Sequence, residues 1–223
     1  MKIFNTLKRV MLAFVVMLAF AVVGAQEAPA RSYTTETLNY QIVYHWCIIW
    51  KHAGNAQLSI QRSGAGYYAQ LIGKTRSWAD NIYPVRDTLK CYMTGDFLPT
   101  RYEKITHEKN YFAHDVVSFT RGSGKTSAQC TRTRRGKPTQ HVSLSSPGNA
   151  YDMVSVFYML RNLDFNNLVR NRSYSTVIFS GKRKETVTIQ YRGVETIKLR
   201  NKSKHQAHKV TFHFTQDGRK KSS

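Results

Sequence analysis

Acidic side chains are scarce in this sequence: 13 Asp and Glu stand against 34 Lys and Arg, a formal net charge of +21 over 223 residues. Such an excess biases encounters towards anionic partners (lipid phosphate, acidic polysaccharide, nucleic acid) without choosing among them. Cysteine is rare as well, with Cys47, Cys91 and Cys130 spaced by 44 and 39 residues and no CxxC pair. That pattern excludes a disulfide scaffold and a recognisable zinc site, and three buried free thiols are expected. No G-x-S-x-G elbow, internal repeat or low-complexity linker is present.

What is present begins with Lys2, Lys8 and Arg9 before an apolar run from Val10 to Val23, closing in Val23-Gly24-Ala25. Its 14 residues fall short of the roughly 20 that span a bilayer. The basic flank and small residues read as a secretory signal peptide over residues 1–25, cleaved after Ala25. Residues 26–223 then carry 31 Lys and Arg against 13 acids, or +18. Their length suits one β-rich domain.

Period-two alternation dominates the chain. Leu38, Tyr40, Ile42, Tyr44 and Trp46 alternate with Asn39, Gln41, Val43 and His45, the signature of a half-buried strand. A turn is expected at His52-Ala53-Gly54-Asn55, followed by strands at 56–60, 67–73, 88–93, 102–106, 111–120, 128–133 and 140–144. One segment breaks the rhythm. In "NAYDMVSVFYMLRNLDF", Met153, Val156, Phe157, Leu160 and Leu163 recur at helical spacing, predicting a helix from Tyr151 to Leu163 capped by Asn149 or Asp152. Strands resume at 173–179, 185–191, 195–200 and 209–214, with a turn expected at Arg192-Gly193. The fold class is mainly β: a single curved antiparallel sheet or open barrel with one short helix.

"FTRGSGKTSAQC" (119–130) contains Gly122-Ser123-Gly124-Lys125-Thr126, which resembles a phosphate-cradling loop. The first glycine of that motif would fall at Phe119, and no helical pattern follows Thr126, so nucleotide binding is rejected. The stretch reads as a hairpin turn. Arg121, Lys125, Arg132, Arg134 and Arg135 around it have no acidic neighbour and form a candidate anion site through charge-assisted bonds; a charged, aggregation-resistant edge strand is the simpler explanation of the same residues. Asp152 and Ser155 with a histidine would make a triad only without its usual strand-turn-helix setting, and His205, His208 and His213 lack a supporting acid. No catalytic residue, cofactor or metal is expected.

Three blocks carry a family resemblance: "LNYQIVYHWCIIWKHAGNAQLSI" (38–60), "RDTLKCYMTGDFLPTRYEKITHEKNY" (86–111) and "DMVSVFYMLRNLDF" (152–165). Together they resemble the exported bacterial family known as domain of unknown function 3108. The resemblance implies an envelope protein of a Gram-negative bacterium with a curved antiparallel sheet, and no established activity. Chains of that kind continue past the strand at 210–214, whereas this one stops in "TQDGRKKSS", so missing final strands are expected.

The functional expectation is a non-enzymatic, periplasmic or outer-membrane-associated protein whose sheet shelters an apolar or anionic amphiphilic ligand. Tyr44, Trp46, Phe157 and Leu160 are the candidate lining residues. The expected partners are a lipid, a glycan or an envelope protein, with no nucleotide and, given export, no nucleic acid. The alternative is a structural or assembly factor that binds envelope proteins or polysaccharide through its surface.

Overall fold

The computed structural model describes residues 20–21, 32–46, 49–199, 201–216 and 219–220. The expected signal peptide, apart from Phe20 and Ala21, lies outside the described residues, as does Cys47. The strands are β1 (Phe20–Ala21), β2 (Thr35–Trp46), β3 (Ile49–Ser63), β4 (Gly66–Thr75), β5 (Arg86–Met93), β6 (Pro99–Glu108), β7 (Tyr111–Gly122), β8 (Lys125–Arg134), β9 (Lys137–Pro147), β10 (Ala150–Tyr151), β11 (Ser173–Phe179), β12 (Lys184–Lys198), β13 (Lys204–Gln216) and β14 (Arg219–Lys220). Helices are α1 (Ser77–Asp80) and α2 (Ser155–Arg161). The fold is mainly β, as the alternation predicts. Strands β2 to β9 form one antiparallel meander in sequence order; a second sheet runs β1-β13-β12-β11-β10, with β14 on β13. The large sheet ends on β2 and β9 and is not a closed barrel.

Two compact units divide the chain. The larger comprises residues 31–162 and 176–185 and holds the eight-stranded sheet, α2 and the short parallel pair of β10 with β11. Alternation gives each strand one inner position in two. At one end of the inner face Tyr33, Tyr67, Phe97 and Tyr158 form an aromatic core, with Tyr67 and Phe97 stacked at 4.8 Å and Tyr33 edge-on to Tyr158 at 5.5 Å. Phe97 has φ +59, a conformation unfavourable for a bulky side chain, and its stacking between Tyr67 and Tyr158 holds it there. Arg161 on α2 makes a two-pronged ion pair with Glu36 on β2, one arm at 2.9 Å. The smaller unit, with residues 163–175 and 186–223, contains most of β12 and all of β13; there His208 stacks on Phe165 at 4.5 Å and meets the Tyr191 hydroxyl at 2.9 Å.

Three local expectations are corrected. Residues 52–55 are no turn, because β3 runs unbroken from Ile49 to Ser63. Gly54 is there for a close approach: a Cβ on it would lie 2.6 Å from the Lys74 carbonyl oxygen on β4. Arg192-Gly193 also falls inside a strand, β12, where Gly193 absorbs an irregularity at φ +97. The helix is shorter than 151–163, since Ala150 and Tyr151 pair with β11 and the Asp152 carboxylate starts α2.

Candidate functional site

One row of side chains crosses all eight strands of the large sheet. The register pairs Leu38 with Leu58, Leu58 with Leu71, Leu71 with Leu89, Leu89 with Lys104, Lys104 with Asp115, Asp115 with Arg132, and Arg132 with Gln140. The first four members are leucines and the last four are Lys, Asp, Arg and Gln. All occupy inner positions, because their strand neighbours Ile60, Ala69, Cys91, Tyr102, Val117 and Cys130 are buried in the adjacent row. Leu58 and Leu89 are buried, while Leu38 and Leu71 keep part of their surface. Such a row is amphiphilic along its length.

The charged half has an unusual centre. Asp115 is 3% exposed, and its Oδ2 accepts a bond from Arg132 Nη1 at 3.3 Å. Its Oδ1 is buried with no partner among the described residues, as are Arg132 Nε and Arg134 Nε. Arg132 Nη2 donates to the Tyr111 hydroxyl, and Lys182, in the loop between β11 and β12, donates to Gln140 Oε1 at 3.2 Å. Burial pushes the Asp115 carboxyl up, opposed by the charges of Arg132, Lys104 and Lys182. Gly181 seals one side. Its φ is +92, and a Cβ there would lie 2.2 Å from Asp115 Oδ2, so only glycine lets the loop pass this close.

One row further on, opposite Gly73, sits Asp87, whose Oδ1 accepts the His107 amide at 2.9 Å. Burial pushes its carboxyl up to about 6, against the opposing hydrogen bond from His107. A carboxyl raised above its unfolded value of 3.8 gives most stability while protonated in both states; that stability is lost as pH rises towards 6. Asp87→Asn keeps the acceptor and removes the titration. Its thermal midpoint relative to wild type therefore climbs from pH 4 to pH 7; a difference that stays flat across that range refutes the assignment.

Residues 39–223 match the profile of the family described as Protein of unknown function (DUF3108). The chain belongs to that family. No curated protein and no solved structure matches it.

In this DUF3108 protein the "GSGKT" stretch is the β7–β8 hairpin turn, with Ser123 and Gly124 at φ +52 and +70 between paired Gly122 and Lys125. Two left-handed residues are what a tight two-residue hairpin requires. Thr126, fully buried, donates to the Gly148 carbonyl at 2.7 Å and accepts the Ala150 amide at 3.2 Å. It fastens the hairpin to the chain entering α2.

The five cations named from sequence are dispersed. Arg121 is turned inward, donating to the carbonyls of Pro99 at 2.7 Å and Ala150 at 3.3 Å. Lys125 is exposed at one end of β8 and Arg135 beyond the other, about 30 Å apart at the rise of an extended ten-residue strand. Arg132 and half-buried Arg134 lie inside, on adjacent rows. Of the apolar candidates, Leu160 is 4% exposed and Phe157 is half-buried against the core. Tyr44 and Trp46 have their backbone in β2, and their side chains lie outside what is described.

Asp152 and Ser155 do meet, but in a buried structural knot. Asp152 Oδ1 accepts the Val154 and Ser155 amides at 2.7 and 3.0 Å; Oδ2 accepts the Ser155 hydroxyl at 2.8 Å and the Cys91 thiol at 2.9 Å; and the Asp152 amide donates to Ser155 Oγ at 2.9 Å. This is a reciprocal capping box at the start of α2. Burial, then the Asp152 charge, pushes the Cys91 thiol well up, so it stays a protonated donor and not a nucleophile. Cys91 and Cys130 are both free and buried. Among the described residues no cluster of His, Cys, Asp and Glu is arranged to hold a metal ion.

Proposed function

We propose that this chain is an exported, non-enzymatic protein of the Gram-negative cell envelope that holds an apolar or anionic amphiphilic ligand on the inner face of its eight-stranded sheet. The single row in which four leucines give way to Lys104, Asp115, Arg132 and Gln140 carries the reading. An alkyl chain gains about 0.8 kcal/mol per methylene removed from water, and a polar head needs partners that survive burial. The row offers both in sequence across one surface. Half-buried Leu38, Tyr40 and Leu71 join Phe157 as apolar lining residues that retain surface, while Leu160 is buried. The basic N-terminal flank, the short apolar run and Val23-Gly24-Ala25 support export to the periplasm or the outer membrane.

Native mass spectrometry of the full chain recovered from a periplasmic extract tests this. The expected spectrum carries an added mass of one amphiphile per chain, lost in Leu71→Asp. Bare protein throughout would sink the reading and favour the surface-binding assembly factor instead, whose signature is an envelope-protein complex that survives high salt.

A further inference from the structure

We propose that the charged end of the row binds a phosphate diester whose substituent carries a hydroxyl, the chemistry shared by the head group of an anionic glycerol phospholipid and by a free glycerophosphodiester such as glycerophosphoglycerol. This rests on the ligand reading above and specifies the polar half of its ligand. The floor of the site is Asp115, almost wholly buried, with Oδ2 held by Arg132 and Oδ1 unpartnered. A buried carboxylate oxygen without a donor is costly, so the site is built for a group that donates to it. Around that acceptor the charge is positive. Lys104 and Arg132 flank Asp115 in register, Lys182 reaches the row through Gln140, and Arg134 lies one row on. Facing these four cations are Asp115 and, in the next row, Asp87.

An anion alone satisfies the cations but confronts Asp115. A donor alone satisfies Asp115 but leaves the cations unneutralised. A phosphate diester with a hydroxyl on its substituent does both: its free oxygens take Lys104, Lys182 and the unpartnered Nε of Arg132, and its hydroxyl donates to Asp115 Oδ1. Lys104, Arg132, Gln140 and Lys182 are all half-buried, so solvent reaches the rim while the floor stays dry. The close passage of Gly181 over Oδ2 blocks that side and brings Lys182 over the row.

Isothermal titration of the full chain with short-chain dihexanoyl lipids in monomeric form tests the assignment, using phosphatidylglycerol, phosphatidylmethanol and phosphatidylcholine, with glycerophosphoglycerol as the soluble arm. Phosphatidylglycerol is expected to bind about tenfold more tightly than phosphatidylmethanol, the worth of one hydrogen bond to a charged group. Asp115→Asn closes that gap, because its one remaining oxygen is held by Arg132 Nη1 and an amide NH2 takes the place of the Oδ1 acceptor. Arg132→Gln weakens phosphatidylglycerol about tenfold or more. Lys182→Gln, on a loop, weakens it in the same direction and gives the readout should Arg132→Gln fail to fold. Equal affinity for all three lipids would overturn the head-group assignment and leave the amphiphile reading standing. Binding of glycerophosphoglycerol with no gain from acyl chains would uphold the assignment and overturn the amphiphile reading. No binding of any probe would sink both.

Discussion

Asp152→Ala is expected to destabilise the larger unit by about 4 kcal/mol, a large part of the roughly 5–15 kcal/mol that holds a domain together. The carboxylate is fully buried and accepts four hydrogen bonds, from two amides, one hydroxyl and one thiol. Alanine leaves the two amides and the Ser155 hydroxyl without this acceptor and the Cys91 thiol with only a long contact to the Tyr92 carbonyl at 3.7 Å, and each buried orphan costs about 1–3 kcal/mol before relaxation. The same change uncaps α2 and cuts its tie to Cys91 on β5. Asp152→Asn retains one oxygen for the two amides and is expected to fall between alanine and wild type. Urea unfolding of the three proteins provides the check, and an alanine midpoint within error of wild type would mean that the knot holds nothing.

Gly66→Ala is the second large effect, of about 3 kcal/mol, because overpacking against main chain cannot relax as it can against a side chain. A methyl at Gly66 would sit 1.9 Å from the carbonyl oxygen of Met93 and 3.0 Å from its carbon. Gly66 opens β4 and pairs with Ser63, while the next residue, Tyr67, pairs with Met93 on β5. Relief therefore demands that β4 move away from β5, which disturbs the Tyr67–Phe97 stack beside it. Gly73 lies in the same strand with nothing within 4 Å of a Cβ position, so Gly73→Ala is the internal control. Thermal melts that place the two variants together would contradict this account.

Much of the strand inventory was legible because alternation is a local property: Tyr111 to Thr120 reads as a strand from its own residues, and β7 spans Tyr111–Gly122. Glycines misled the reading at Gly54 and Gly193, since a glycine placed for close approach or for a strand irregularity looks the same in sequence as one placed for a turn. The leucine-to-charge row was not legible at all. Each member looks ordinary in its own strand, and only the register of seven strand pairs lines them up. Arg132 was singled out as one of a string of cations, whereas its place opposite Asp115 distinguishes it from Lys125 and Arg135. The partnership of Cys91 with Asp152 spans 61 residues, beyond the reach of any local pattern.

The order of the large sheet bears on how the chain reaches it. Each of its strands pairs with its neighbour in sequence, so ordering proceeds through short closures whose entropic cost is small and is repaid hairpin by hairpin. The bond from Arg161 to Glu36 belongs to another class, joining residues 125 positions apart. Seven hairpins can zip before that distance is bridged, which makes α2 a latch across the meander: its bond to Glu36 ties the first strand to the helix that follows the last.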